Sequence, residues 1–309
     1  MKPAFSVVLF TTVAGAAQGL VVALAVAALA GVDMDGGFLG RSLAVALAML
    51  LAALAASFFH VGRPARAWRA AMMWRTSWLS REVIALPALI GVVATWWLAR
   101  RSGWGAAAAL LPLASIALAL VLWLCTGMVY ACLRFIQEWS HPLTVLNLTL
   151  IGLSSGLVTT CALAGMAGEG PLMHAAGPWT LAATLAAWAA RALSLRRNAA
   201  LVPRSTLQSA TGIRSPELRQ VSMGMSAGAF NTREFFHGES PTTLRRVKLG
   251  FLAFGFALPA VLALWGVNTH ASMPWELAPL AQAPGLLAER WYFFAQAQHP
   301  QNLYYQVVS

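Results

Sequence analysis

The chain has 309 residues, 59% of them hydrophobic and only 10% charged, with a mean hydropathy of +0.67. That is far more apolar surface than a soluble domain of this size can bury, so a soluble globular fold is excluded and a bilayer is the solvent. The net charge of +11 is then no footprint of nucleic acid; it reflects the basic residues that collect in the cytoplasmic loops of membrane proteins.

A membrane-crossing helix needs roughly 20 apolar residues, so the length allows about seven or eight crossings. The first apolar run, residues 5–31, follows the single Lys2 and is too long for the core of a secretory signal. It is read as helix one, and its Gly15 and Gly19, in G-x-x-x-G spacing, permit a close approach by another helix. The second helix covers about 43–60 and the basic segment 63–81 follows it. The third covers about 82–98, ahead of Arg100 and Arg101, and the fourth about 105–130, followed by Arg134, Gln137, Glu138 and His141. A second G-x-x-x-G, Gly152 and Gly156, lies in the fifth, about 143–166; the sixth covers about 177–195.

Residues 196–248 read as a polar, basic loop holding Arg197, Arg204, Arg214, Arg219, Arg233, Arg245 and Arg246. A polar segment that long inside a compact membrane protein marks a contact surface or a mobile connection. The seventh helix covers about 249–267. An eighth, about 275–295, contains Pro284, Glu289 and Arg290 and is expected to be short, tilted or half-embedded. The pattern predicts an all-α, polytopic transmembrane bundle of about eight helices, forming a single integral membrane domain over 1–309.

Orientation follows from the basic residues. With the N-terminus inside, Lys2, the 63–81 cluster, Arg134 and the long loop are cytoplasmic, and only Arg41, Arg100 and Arg101 lie outside. Cys125, Cys132 and Cys161 form no C-x-x-C pair, which argues against a zinc site or a cluster held by this chain alone. No internal repeat relates the two halves, which argues against a secondary transporter built on inverted repeats.

Ionisable groups at membrane-helix ends are costly and are functional candidates, and here they gather at one level. His60 closes the second helix, and Arg63 follows through the Gly62 and Pro64 turn. Arg81 and Glu82 open the third helix, and Arg134 and Glu138 follow the fourth. A quinone needs an apolar slot and groups that bind its two oxygens and move protons. Histidine both donates and accepts near neutrality. Glu82 is suited to relaying a proton, with Arg63 or Arg81 holding it ionised, and Phe58, Phe59, Trp68, Trp74 and Trp78 offer flat apolar walls. The same residues also read as ordinary interfacial anchors, with a histidine at a helix C-terminus, and both readings stand at this point. Haem needs histidines facing one another within the bundle. His60 and His141 sit at helix ends, and His174, His237, His270 and His299 fall in loops or tails, so neither haem nor a metal is expected in this chain.

The stretches F-F-H-V-G-R-P at 58–64 and S-W-L-S-R-E at 77–82 resemble the membrane anchor subunits of dimethyl sulfoxide reductase-type molybdoenzymes. The likeness continues through M-V-Y-A-C-L-R-F-I-Q-E-W at 128–139, H-P-L-T-V-L-N at 141–147, F-N-T-R-E-F-F-H-G at 230–238 and E-R-W-Y-F-F-A at 289–295. It implies an eight-helix anchor in a bacterial inner membrane that binds ubiquinone or menaquinone without haem. It also implies an iron-sulfur electron-transfer subunit as partner, wired in turn to a molybdopterin catalytic subunit. Carried over by motif, His60 is the quinone-site histidine, Gly62, Arg63 and Pro64 shape its turn, and Glu82 matches the acidic residue opening the third helix. Arg81 and Arg134 join the site by charge and position, and Arg204, Arg233 and Arg245 are the docking candidates of the long loop. With both surfaces facing inward, the related sulfite dehydrogenase type, with cytoplasmic catalytic subunits, fits better than S- or N-oxide reduction outside. The alternatives are a purely structural anchor and a secondary transporter.

Overall fold

The computed structural model describes residues 1–2, 4–59, 64–103, 109–219, 221 and 237–303. Its elements are α1 (Phe5–Leu29), α2 (Gly36–Phe58), α3 (Trp78–Ser102), α4 (Leu111–Ala131), α5 (Pro142–Ala167), α6 (Gly170–Ala199), a short α7 (Leu207–Thr211), α8 (Pro241–Thr269) and α9 (Met273–Ala295). A 3-10 segment, Pro64–Met73, joins α2 to α3, and α8 contains a π turn at Ala253–Ala257. Among the described residues there is no strand. The chain is thus an all-α polytopic bundle. Helices α1 to α5 and α8 are long and apolar enough to cross a membrane. α6 and α9, at 30 and 23 residues, match them in length but carry charges.

Local chemistry sets the boundaries, and in four places it moves them. Asp35 accepts a hydrogen bond from the Phe38 amide at 2.9 Å, so α2 begins at Gly36 and takes in the glycines that had read as loop. Ser77 caps α3 in the same way through the Ser80 amide, which starts that helix at Trp78. After α5 the chain reverses at Gly168, whose φ of +76° suits glycine, and Pro171 sits in the first turn of α6. That helix therefore begins at Gly170 instead of about 177. Ser240 accepts from the Thr243 amide at 3.1 Å and Pro241 opens α8. The expected loop 196–248 accordingly loses residues to helix at both ends.

α1 is the central element. Ala17, Leu20, Val21, Leu24 and Ala25 on it are fully buried, and it packs against α5, α2 and α4. Its contact with α5 is the meeting of the two G-x-x-x-G pairs: a methyl group added to Gly19 would overlap the backbone of Gly152 and Gly156, and one added to Gly156 would overlap the backbone of Gly19. Without a hydrophobic drive between helices in lipid, such close backbone contact is a main source of association.

The eighth long helix is not short, which was one of the expectations for it. α9 is unbroken for 23 residues despite Pro279 and Pro284, about 35 Å at the usual rise per residue. Packed on α5 and α8, it fits closely because Gly285 lies against the backbone of Phe254 and Gly255 in the π turn. Glu289 and Arg290 on it are buried and paired with each other and with Arg191 inside the bundle, which is what hydropathy alone cannot register.

Candidate functional site

The described residues among those singled out in the sequence lie at the end of the bundle where α1, α3, α5 and α8 start and α2, α4, α6 and α9 stop. The Ser77 cap fixes the first turn of α3, and one turn further Glu82 points into the α3–α4 interface. Only 6% of Glu82 is exposed, and its Oε1 accepts a hydrogen bond of 2.5 Å from the Thr126 hydroxyl of α4. A carboxylate in this setting keeps one oxygen anchored and has little water to compete for the other. Around the α2–α3 connection the apolar groups face outward: Phe58, Phe59, Trp68, Trp74 and Leu79 are all exposed. A buried acid beside exposed aromatic surface fits a planar ring that carries oxygens. His60, Gly62 and Arg63 lie outside the described residues; Pro64 opens the 3-10 segment.

Arg81 is committed elsewhere than expected. Its Nε donates to the Trp74 carbonyl and its Nη2 to the Arg75 carbonyl, both at 2.8 Å, while the guanidinium lies 4.2 Å above the Trp78 ring. It therefore clasps the α2–α3 connection into place, and its bonds are to backbone rather than to Glu82.

Arg134 is in a second place. It lines a polar pocket of about 340 Å³ with Gln137, Glu138, Asn198, Arg204 and His299. Gln137 organises this pocket: its Nε2 donates to the Val202 carbonyl at 3.2 Å, its Oε1 accepts from the Arg204 amide at 3.0 Å, and its carbonyl accepts from Arg197 at 3.0 Å. An expected quinone residue and an expected docking residue thus share one wall. Among the described residues no hydrogen bond or ion pair joins Arg134 to Glu82. Arg245 is exposed in the first turns of α8, and Arg233 lies outside the described residues. His141 is the N-cap of α5, its Nδ1 accepting from the Leu143 amide at 3.1 Å. Burial, and then the nearby Arg197 charge, push its imidazole below the ordinary histidine range, which keeps the accepting lone pair free.

Sequence reading missed a buried charge cluster deeper in the bundle. Arg191 of α6 and Glu289 of α9, each 1% exposed, meet at 2.7 Å, and the other Glu289 oxygen lies 3.6 Å from Arg290. Arg290 stands 5.3 Å from the Phe293 ring centre, and Phe293 and Phe294 pack edge-on against Tyr130 of α4 at 5.4 and 5.5 Å. Tyr130 is one helical turn from Thr126 on the same face of α4, so the rings beside the cluster reach the helix face that also carries the Glu82 partner. The signal was present as one arginine in the sixth apolar run and an acid–base neighbour pair in the eighth. Opposite charges in two membrane helices imply a pair, but only the packing of α6 near α9 says that these are partners.

Over residues 1–215 the sequence matches the family described as DMSO reductase anchor subunit (DmsC). It is also 44% identical, over 327 aligned positions and 100% of both chains, to a sulfite dehydrogenase subunit of Allochromatium vinosum. With helices long and apolar enough for repeated crossings, a site at one end of the bundle and these two likenesses, the chain belongs to the DMSO reductase anchor subunit family, as a multi-pass membrane anchor subunit of an oxidoreductase complex.

Proposed function

We propose that this anchor is quinone-reactive: it exchanges electrons between membrane quinone and the iron-sulfur subunit of a molybdopterin oxidoreductase, in a bacterial inner membrane and with its N-terminus in the cytoplasm. The observation that carries the reading is Glu82, a buried carboxylate anchored by Thr126 at the end of the bundle where the α2–α3 connection exposes its aromatic side chains. Quinone, when bound, supplies two-electron, two-proton redox chemistry. The chain's part is to hold the ring against Phe58, Phe59 and Trp74, to relay a proton through the Glu82 carboxylate, and, on the family resemblance, to donate from His60. Sulfite is the substrate class favoured for the complex, since the full-length relative is named a sulfite dehydrogenase subunit and the basic end suits a cytoplasmic partner.

The test uses the full complex with its soluble subunits. Proton transfer by a placed side chain contributes about 10²–10⁴-fold, so His60→Ala and Glu82→Gln each lower quinone-coupled turnover at least about 100-fold while the soluble subunits stay bound and active with an artificial electron carrier. Unchanged quinone turnover in both variants, with the complex intact, would make this a purely structural anchor.

A further inference from the structure

His174 and His270 are far apart in the sequence and read there as isolated loop residues. The fold makes them neighbours. α6 packs on α8; His174 lies in the first turns of α6 and His270 directly follows α8, at the end of the bundle opposite Glu82. Their ring centres are 4.4 Å apart and their planes are tilted by 50°, neither the offset stack nor the edge-on contact that aromatic pairs prefer. Both residues are exposed, and among the described residues no hydrogen bond holds either ring.

His270 also has an unusual backbone. Where α3, α5 and α7 end on a left-handed residue, that residue is a glycine, at Gly103, Gly168 and Gly212. α8 ends instead on His270 with a φ of +56°, and among the described residues no other non-glycine has a positive φ. That conformation is strained for a residue with a Cβ, and such strain marks places where a particular side chain is wanted. The two helix ends are held firmly beside each other. Trp275 of α9 is buried and lies against Gly177 of α6 and Gly266 of α8, about one turn from each histidine; a methyl group added to Gly266 would overlap its indole. A cavity of about 80 Å³ opens beside them, lined by both histidines, Met173, Pro178 and Trp275. Pro178 has no N–H to give to the His174 carbonyl four residues back, so α6 leaves that oxygen without its usual helical donor.

We propose that His174 and His270 form a binding site for a divalent transition-metal ion of the zinc or copper class, which bridges the start of α6 to the end of α8. With metal–nitrogen bonds of about 2.0–2.1 Å at a roughly tetrahedral angle, two imidazoles on one ion hold their ring centres about 5 Å apart. The separation of 4.4 Å therefore needs little movement to close on an ion. Imidazole and thioether suit such ions, whereas calcium and magnesium take oxygen ligands. Among the described residues no third histidine, cysteine or carboxylate joins the pair. The His174 carbonyl and the Met173 thioether are the further donors at the cavity, and water completes the shell. With open positions and exposed ligands, the site exchanges its ion with the aqueous phase, unlike a closed structural zinc site. It stands apart from Glu82 and does not depend on the quinone reading.

The test uses the full complex, purified without a histidine tag and stripped with a chelator, then titrated with zinc chloride while bound zinc and the thermal midpoint are read together. The unaltered complex binds one zinc ion more per anchor than the double variant His174→Ala with His270→Gly, and zinc raises the midpoint of the unaltered complex alone. Each single variant weakens binding at this site at least about tenfold, the scale on which metal sites respond even to loss of a supporting group. Without zinc, His270→Gly does not lower the midpoint, because glycine adopts the left-handed conformation without strain. Should that variant fail to assemble, His270→Asn, which also tolerates a left-handed φ, takes its place. Equal zinc uptake by the unaltered and double-variant complexes overturns the proposal, since the ion then sits elsewhere. So does a pair that serves ring packing alone, seen as a metal-free midpoint that falls in both single variants while zinc moves no midpoint. An unaltered complex that takes up no zinc overturns it without recourse to any variant.

Discussion

Glu82 and Thr126 show how little polar chemistry this site uses and how much depends on each atom. Among the described residues the Thr126 hydroxyl is the one hydrogen-bond partner of the buried Glu82 oxygen, and leaving a buried acceptor unpartnered costs about 1–3 kcal/mol. Thr126→Val keeps the shape and removes the bond; it lowers the thermal midpoint of the detergent-solubilised complex and lowers quinone turnover, whereas Thr126→Ser retains both. Equal midpoints and rates for the two variants would show that the bond contributes nothing. His141 gives a second case with a defined pH dependence. Its imidazole is held below its ordinary value by burial and by Arg197, so at acid pH the unfolded chain binds the proton more readily than the folded one. Stability from this cap is therefore present above the unfolded value near pH 6.5 and lost as pH falls through and below it. His141→Asn keeps a capping oxygen without a titrating group, and its midpoint falls less between pH 7 and pH 5 than that of the unaltered protein. An identical fall in both would exclude the cap as the source.

At the scale of elements, the contact between α1 and α5 is fixed by glycine. Gly19→Leu or Gly156→Leu forces two backbones apart, at a cost of at least the roughly 1–3 kcal/mol of ordinary overpacking, and the variant fails to accumulate in membranes. Gly40→Leu, on α2 where an added Cβ meets nothing within 4 Å, accumulates normally; equal levels for all three would mean that the close approach is dispensable. The two G-x-x-x-G pairs were visible in the sequence, because small residues at that spacing have few other uses in an apolar helix. That they meet each other was not visible, since nothing in a sequence says which helix is the neighbour. The same limit hid the charge cluster. Arg191 and the Glu289–Arg290 neighbours were legible as charges in apolar runs, and they made the eighth helix look too polar to be long. Their pairing at 2.7 Å removes that objection, because a matched charge in a bundle interior is a different object from an isolated one. Breaking such a pair from one side typically costs about 3–5 kcal/mol, while replacing both partners by apolar groups costs far less. Glu289→Met, which leaves both buried arginines unpaired, should therefore abolish accumulation of the complex, and replacing all three, Arg191→Met, Glu289→Met and Arg290→Met, should restore it.

The whole molecule is electrically lopsided. Apart from the buried Arg191 and Arg290, every lysine and arginine among the described residues but Arg41, Arg100 and Arg101 falls at the end that carries Glu82, the polar pocket and the connection from α6 to α8. That asymmetry was fully legible in the sequence, because it needs only the order of helices and loops. The local geometry was not: Arg134 belongs by position to the level of Glu82, yet it shares a wall with Arg204 because Gln137 ties residues 202–204 back against the end of α4. A basic face of this kind steers and holds an acidic partner, with a strength that falls as salt screens it. Reversing charge there, by Arg204→Glu together with Arg245→Glu, is expected to weaken retention of the soluble subunits on isolated membranes at least about tenfold, since like charges juxtaposed at an interface cost several kcal/mol. High salt should weaken retention in the unaltered complex and narrow its difference from the variant. Arg100→Glu with Arg101→Glu, the same change in charge at the opposite end, should leave retention untouched. Loss of the soluble subunits in that second variant and not in the first would place the docking face, and with it the cytoplasmic orientation of the basic end, on the wrong side of the membrane.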